Sequence, residues 1–241
     1  MAARDSWRRL DREIVDCERC PRLRKHCLEV ARLRRRMYRD QEYWGRPLPG
    51  FGDHAAPIVM VGLAPAAHGA NRTGRMFTGD RSGDWLYGAL HRAGLANRPD
   101  STWVNDGLKL DGVFISATAR CAPPANRPTR EEIENCAGYL DREFDLLKQV
   151  RVVVALGKIA WDAVLRRSAA IDPVAMPKPK PKFGHCSETA LPVRQGGAPV
   201  AILGSYHPSQ QNTQTGRLTR PMFDRMIHKA MQLGGIKEKA G

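Results

Sequence analysis

Four short apolar runs, each followed by a polar loop and then by an amphipathic segment, constrain the fold of this chain more than any other feature. The first run is rich in β-branched residues, and the Gly, Pro and Asn after it stop the strand. Strands that alternate with helices predict a parallel sheet with helices on both faces. We therefore predict an α/β fold, a three-layer α/β/α sandwich around a central four-stranded, mostly parallel sheet. The predicted strands are 57–61, 112–116, 151–156 and 199–203, and the helices that follow them are 82–94, 129–147, 158–167 and 221–233.

The length of the chain fits one domain with a full core. It has 241 residues, of which 42% are hydrophobic, and a chain of this size can bury a large apolar core. Helical spacing of apolar residues predicts two further helices at 6–15 and 21–39, and nothing before residue 57 suggests a separate sheet. We predict a single domain over residues 1–241, with the N-terminal helices (about 1–40) attached to it.

The charge balance points to an anionic partner. There are 39 Lys and Arg against 25 Asp and Glu, a net charge of +14. Clustered cations gain affinity for polyphosphates by releasing counterions, so nucleic acid fits best, although a solvated basic surface also explains the excess. The chain has no apolar run of about 18 residues, and its first residues are charged where a signal peptide is apolar. We expect a cytoplasmic monomer that is not a membrane protein.

Six cysteines are too few for a disulfide scaffold in a chain of this length, so their spacing suggests metal or redox chemistry. Cys17 and Cys20 form a CxxC pair, which lets two thiolates reach one ion. Two more ligands are needed, and Cys121 in a loop and Cys136 on the inward face of a helix are the candidates. Cys27 is interpreted as a small buried hydrophobe. Spacing alone permits zinc as well as an iron–sulfur cluster.

Three polar loops follow predicted strands and therefore lie at one edge of the sheet, where open α/β folds bind ligands. They contain Phe77 and Asp80, then residues 117–126, then His207 and the polar segment 209–217. In these loops the sequence resembles the type-5 uracil-DNA glycosylases, the broad-specificity bacterial branch of their superfamily that carries an iron–sulfur cluster. The resemblance runs from Cys17 to about Leu233. The motifs that carry it are 62–66 (GLAPA), 71–75 (NRTGR), 77–80 (FTGD), 120–126 (RCAPPAN), 207–209 (HPS) and 215–219 (TGRLT).

The resemblance implies that the protein flips a deaminated base out of double-stranded DNA, with single-stranded DNA as a further substrate form, and hydrolyses the N-glycosidic bond. It also implies that a [4Fe–4S] cluster ties the N-terminal helices to the sheet. The four residues similar to its ligands are Cys17, Cys20, Cys121 and Cys136.

Glycosidic bond cleavage passes through an oxocarbenium-like sugar while negative charge collects on the departing base. His207 is the predicted donor to the base carbonyl, with partial or full positive charge; the competing interpretation is a turn histidine. Asp80 is predicted to orient or activate water, and it equally suits the N-cap of the next helix. Asn126 is a neutral alternative for positioning the water.

Phe77 is predicted to stack on the flipped base, with core packing as the alternative. Ala64 and Ala117 are assigned to the same base pocket. Ala117 stands where the wider superfamily has a uracil-reading Asn, and Leu63 stands where the nearest branch has an acidic residue. A site without that amide rejects other bases less strongly, so we predict uracil first, with hypoxanthine, xanthine and etheno-cytosine as further substrates. Without a lysine nucleophile in the three loops, the product is an intact abasic site.

The predicted DNA contacts come from two segments besides the first loop. Residues 209–217 suit the minor groove and the gap left by the flipped nucleotide. The Pro- and Lys-rich segment 172–185 is predicted to be an extended cationic arm, or alternatively an ordinary disordered loop. The residues assigned to DNA binding are Arg75, Lys182, Ser209, Gln211, Asn212 and Arg217.

Two other classes of protein compete with a glycosylase. A non-catalytic, metal-bearing nucleic-acid-binding module explains the charge and the cysteines, but not the polar residues at three strand ends. A phosphate-ester or nucleotide hydrolase would need a GxxxxGK[ST] loop or a carboxylate cluster for Mg²⁺, and the sequence has neither. Release of free base from a uracil-containing duplex separates all three.

Overall fold

A computed structural model describes residues 5–237 of the chain. Its central sheet contains four parallel strands in the order β3, β2, β4, β6. This confirms the predicted α/β class and its four parallel strands. The strands are β1 Phe51–Gly52, β2 Ile58–Gly62, β3 Val113–Ala117, β4 Val152–Leu156, β5 Glu188–Leu191 and β6 Val200–Ser205.

Within residues 5–237 the sheet has six strands, not the predicted four, because an antiparallel strand is added at each edge. β1 pairs with β3, and β5 pairs with β6. β1 is only two residues long, and β5 is short and partly exposed. Strands this short carry no recognisable alternation of polar and apolar residues.

The helices lie where the amphipathic segments predicted them, with differences at their ends. Thr129 and Glu132 form the expected capping box at the start of α5. The second helix ends at Leu33, earlier than the predicted 21–39, because Arg34 adopts a left-handed backbone with φ of 51°. The α-helices are α1 Trp7–Val15, α2 Pro21–Leu33, α3 Ala70–Thr73, α4 Arg81–Arg92, α5 Arg130–Leu146, α6 Lys158–Ile171, α7 Gln210–Gln214 and α8 Arg220–Gly234.

Each face of the sheet buries its own apolar core. On one face, residues of α4 and α8, such as Leu90 and Phe223, pack against the strands. On the other face the packing comes from α5 and α6, through residues such as Phe144 and Trp161. Helices on both faces confirm the three-layer sandwich.

The N-terminal helices are held against α5 by ion pairs. Arg142 on α5 binds both Asp5 and Glu13, and Arg22 on α2 binds Glu132 with an Nη2–Oε2 distance of 2.7 Å. These contacts place α2 beside the start of α5 and α1 beside its second half. Between residues 5 and 237, no helix combines the length and apolarity needed to cross a bilayer.

Candidate active site

The ends of the parallel strands bring the predicted loops together. The backbone N–H of Thr118, just after β3, donates to the carbonyl of Gly62 at 3.0 Å, and its hydroxyl donates to the carbonyl of Leu63 at 2.6 Å. On the other side of β2, the N–H of Gly157 donates to the carbonyl of Ser205 at 2.8 Å. The loops after β2, β3 and β6 therefore share one edge of the sheet, as the sequence predicted.

Phe77 is locked in one position by two glycines. Its backbone has a left-handed φ of 54°. A Cβ on Gly62 would lie 2.8 Å from the Phe77 ring, and a Cβ on Gly83 would lie 1.8 Å from its carbonyl oxygen. Because no side chain fits at either place, the ring closes directly over the end of β2.

The rings of Phe77 and His207 face each other. Their centroids are 5.7 Å apart and their planes differ by 27°. Phe77 also packs against the core on one side, so the core-packing interpretation holds for part of the ring, while the half-buried remainder stays accessible. No local sequence pattern indicated that this arrangement needs Gly62 and Gly83.

His207 is neutral at physiological pH. Burial lowers the pKa of its imidazole to about 4, which corrects the expectation of a positively charged ring. Within residues 5–237, neither ring nitrogen has a protein hydrogen-bond partner, whereas the backbone carbonyl of His207 accepts a 2.9 Å hydrogen bond from Asn212 Nδ2. The hydrogen bond from Asn212 thus holds the backbone of the turn, and the ring nitrogens of His207 remain available to a ligand.

Asp80 is the N-cap of α4, as one of the two interpretations expected. Its Oδ1 accepts from the N–H groups of Ser82 and Gly83 at 2.9 and 3.2 Å. Burial raises the pKa of the carboxyl, and the two N–H donors oppose that effect. Its Oδ2 approaches Gly69 so closely that a Cβ there would lie 2.2 Å away. In the described residues Oδ2 accepts no hydrogen bond, so capping leaves one oxygen for another role.

The other predicted pocket residues lie at the same edge in different environments. Ala117 is buried and pairs with Gly62 across the ladder, and Ala64 is half-buried in the loop after β2. Asn126 is exposed, with a left-handed φ of 56°, in a short turn between β3 and α5. Its predicted role in positioning water stays a prediction.

The prediction that Arg75 contacts DNA is wrong. Its side chain is only 2% exposed and forms a bidentate ion pair with Asp106, with an Nη2–Oδ2 distance of 2.6 Å. It also donates to Ser101 and stacks over Phe51. Arg75 therefore anchors the segment around residues 101–106. The pairing spans 31 residues and no local pattern reveals it.

The segment after His207 divides between internal and exposed side chains. Ser209 caps α7 through Asn212 N, and Asn212 Nδ2 donates to the carbonyl of His207, so Asn212 positions the turn. Its predicted DNA contact stays a prediction. Gln211 is exposed, and the exposed Arg217 stacks over Tyr206 at 4.6 Å. Lys182 is also exposed.

The predicted cluster ligands lie close together between the N-terminal helices and the sheet. Cys20 and Cys121 pack in one buried cluster, and Asn135, the residue before Cys136, donates to Cys20 Sγ. Cys17 packs against the cluster that contains Tyr139 of α5. Cys27 joins them: its thiol donates to the backbone carbonyl of Ala122, the residue after Cys121, at 3.6 Å. Cys27 is buried, as expected, but it contacts a predicted ligand.

The thiols form contacts in pairs, and no group of three or more His, Cys, Asp or Glu side chains in residues 5–237 has an arrangement able to hold a metal ion. The donor chemistry nevertheless fits a thiolate-bound metal centre, because the buried side chains that converge here are sulfurs from three separate parts of the chain. Asn135 Nδ2 lies 3.7 Å from Cys20 Sγ, the kind of hydrogen bond that supports a thiolate.

Comparisons with known proteins identify the family of the chain. Residues 49–230 match the model of the uracil DNA glycosylase superfamily. A type-5 uracil-DNA glycosylase of Mycobacterium tuberculosis is 51% identical over 93% of this chain and 80% of its own length. Those of Mycobacterium leprae (51%, over 94% and 95%) and Thermus thermophilus (47%, over 94% and 100%) are similar over nearly their full lengths. The chain belongs to the type-5 uracil-DNA glycosylase family, within the uracil DNA glycosylase superfamily.

Proposed function

We propose that this protein flips uracil out of double-stranded DNA and hydrolyses its N-glycosidic bond, leaving an abasic site. The observation that carries the proposal is the facing pair of Phe77 and His207, with ring centroids 5.7 Å apart, at the strand edge where the family motifs meet. An aromatic face binds any base by stacking. A donor beside that face can meet the carbonyl oxygen of the same base.

His207 acts in this scheme as a neutral hydrogen-bond donor. Negative charge grows on the base oxygen as the bond to the sugar breaks, and an N–H aimed at that oxygen binds the transition state better than the substrate. Because its ring nitrogens have no partner among the described residues, no internal hydrogen bond is lost when the base enters. The carbonyl contact from Asn212 keeps the turn in place during the reaction.

Asp80 is proposed to act on the sugar side. Its Oδ2 holds a water or faces the developing oxocarbenium ion, while Oδ1 stays bound to the helix. Asn126 is the second candidate for holding the water. The route needs an oriented water more than a strong base.

Ala117 is proposed to broaden the substrate range to hypoxanthine, xanthine and etheno-cytosine. The methyl group of Ala117 at the end of β3 offers no hydrogen bonds. Bases whose hydrogen-bonding edges differ from that of uracil therefore lose no hydrogen bond to this residue when they bind. Duplexes that differ only in the target base test this, with alkali-labile abasic sites as the readout. We expect Ala117→Asn to lower release of the other bases relative to uracil. Release of uracil alone by the wild type, with no effect of Ala117→Asn, would contradict it.

Cys17, Cys20, Cys121 and Cys136 are proposed to hold a [4Fe–4S] cluster with a structural role. Such a cluster would join α2 to α5 and to the loop after β3. Iron, sulfide and zinc content of the purified protein tests this without reference to activity. Each of the four Cys→Ser variants is expected to lose iron, whereas Cys186→Ser, whose side chain packs against the core on the α4 and α8 face, keeps it. A colourless wild type that contains zinc would overturn the assignment.

The glycosylase and its rivals are separated by one experiment with a uracil-containing duplex. We expect free uracil and an intact abasic strand from a protein that behaves as a monomer. Binding without base release would favour the non-catalytic module, and metal-dependent strand cleavage would favour the hydrolase.

A further inference from the structure

Two cationic clefts lie on opposite sides of the Phe77–His207 pair. The first, which we call the α6 cleft, has a volume of about 520 Å³ and lies between α6 and the Pro- and Lys-rich segment. Its cations are Lys158, Arg166, Lys180 and Lys182, and its one carboxylate is Asp162.

The α6 cleft is built into the fold. Trp161 Nε1 on α6 donates to the carbonyl of Pro181 at 3.2 Å, and the rings of Trp161 and Phe183 lie 6.2 Å apart. These contacts hold the segment against the helix, which argues against the alternative of an ordinary disordered loop. The two exposed lysines on either side of Pro181 are therefore presented at a fixed distance from α6.

The α6 cleft has an uncompensated positive charge. Asp162 pairs with Lys158 at 2.5 Å. In residues 5–237, Arg166, Lys180 and Lys182 form no ion pair. Three cations therefore face the cleft without a partner.

The α6 cleft opens next to the base pocket. Phe183 lies 6.2 Å from the ring of Tyr206, the residue before His207. Gly157, the residue before Lys158, is so near that a Cβ on it would lie 3.8 Å from the His207 Cβ. A phosphate bound here would be a short distance along the strand from a nucleotide at His207.

The second cleft, which we call the α4 cleft, has a volume of about 320 Å³ and lies in the opposite helix layer. Its lining residues are Arg81, Asp84, Trp85, Arg92 and Arg220. It starts beside Asp80, because Arg81 is the next residue and the first of α4.

The free cations of the α4 cleft are Arg81 and Arg220. Arg92 is neutralised by Asp224 at 2.6 Å. Arg220 lies over the Trp85 ring at 6.0 Å, and neither it nor Arg81 has an ion-pair partner in the part of the chain that the structure describes. When the carboxylate of Asp84 is counted against Arg81 and Arg220, the α4 cleft keeps one net positive charge.

We propose that the two clefts bind backbone phosphates on the two sides of the flipped nucleotide, so that the damaged strand crosses the sheet edge from the α6 layer to the α4 and α8 layer. The proposal rests on the proposed function, since the base at His207 defines the centre of the path. Fixed cations on both sides would hold the strand while the nucleotide between them rotates out.

Salt dependence of binding tests the clefts one at a time. The slope of log K against log salt is negative, and each lost phosphate contact reduces its magnitude by about 0.9. We compare Lys180→Ala/Lys182→Ala in the α6 cleft with Arg81→Ala/Arg220→Ala in the α4 cleft. The matched control is Lys148→Ala/Arg151→Ala, which removes two exposed cations at the opposite edge of the sheet. The probe is a duplex with a non-hydrolysable deoxyuridine analogue, and anisotropy gives K.

We expect slopes reduced by about 1 to 2 in each cleft variant and a wild-type slope in the control. Single methylphosphonate substitutions then locate the contacts. Neutralising a phosphate on one side of the lesion should weaken wild-type binding but not binding by one cleft variant, and the other side should give the reverse pattern. The proposal would be overturned if the cleft variants had the same salt slope as the control. It would also be overturned if both cleft variants became insensitive to methylphosphonates on the same side of the lesion. Uracil release by the wild type, measured in parallel, tests the proposed function separately.

Discussion

The two oxygens of Asp80 have different environments, and this allows its two predicted roles to be separated. Oδ1 accepts two backbone hydrogen bonds at the start of α4, and Oδ2 accepts none in the described residues. The sequence suggested both roles because an Asp before a helix is a good cap and an Asp in a strand-end loop is a good catalytic group. The structure confirms the first role, and the second stays a prediction.

Asp80→Asn is expected to retain stability and lose activity. Asn is as good an N-cap as Asp, so the melting temperature should change little, while loss of the carboxylate should lower the single-turnover rate about 100-fold, or about 2.7 kcal/mol. Asp80→Ala is the control that also loses the cap, at about 1 kcal/mol of stability. A rate for Asp80→Asn within about threefold of wild type would mean that Asp80 acts only as the N-cap of α4.

The pH dependence of base release follows from the neutral state of His207. Its folded pKa of about 4 lies below the ordinary value of about 6.5, because burial penalises the charged ring. We expect no change in rate from this residue between about pH 5 and pH 8, and a fall only as the pH approaches 4. Protonation favours the unfolded chain, so its contribution to stability is present above about pH 6.5 and is lost as the pH falls towards 4.

Single-turnover rates across this range, for wild type and His207→Gln, provide the check. An inflection near pH 6.5 that is present in the wild type and absent in His207→Gln would mean that the charged imidazole acts.

At the scale of elements, strands and helices were predictable where one local pattern determined them. The run 57–61 and the Thr129–Glu132 capping box lie within a few residues of their observed positions. β1 and β5 were missed because they depend on pairing with β3 and β6, which their own residues do not encode. Helix α2 ends at Leu33 because the next residue, Arg34, has a positive φ, and the composition of the helix did not predict that conformation.

Buried ion pairs between elements were also invisible in the sequence. Arg120, in the loop after β3, binds Glu143 on α5 with an Nη2–Oε2 distance of 2.6 Å, and both side chains are at most 2% exposed. Ser116 completes the group by donating to Glu143. The partners are 23 positions apart in the sequence, and no local pattern links them. This pair fixes α5, and therefore the predicted ligand Cys136, relative to β3.

Arg120→Ala is expected to lower the free energy of unfolding by about 3–5 kcal/mol, because it leaves the buried Glu143 carboxylate without a counterion. Urea denaturation measures this. The double variant Arg120→Met/Glu143→Leu should recover most of the loss, since it removes both charges from the interior. Equal stability of Arg120→Ala and wild type would contradict this expectation.

At the scale of the whole molecule, the meeting of the three loops was predictable because the carboxyl ends of parallel strands must share an edge. It could not show which cations face that edge. Arg75, in a basic loop, is buried on Asp106, while Arg81, six residues later, remains exposed. Such outcomes depend on contacts between residues 20 or more positions apart, as do those that fold the Lys- and Pro-rich segment onto α6.

Release of free uracil in a single turnover tests the central claim most directly. The substrate is a duplex with one uracil, and the proteins are wild type, His207→Ala and the distant Lys148→Ala. We predict release of uracil with an intact abasic strand by wild type and Lys148→Ala, and a rate at least about 100-fold lower for His207→Ala at equal melting temperature. Undiminished release by a folded His207→Ala variant, or no release by the wild type, would contradict the account.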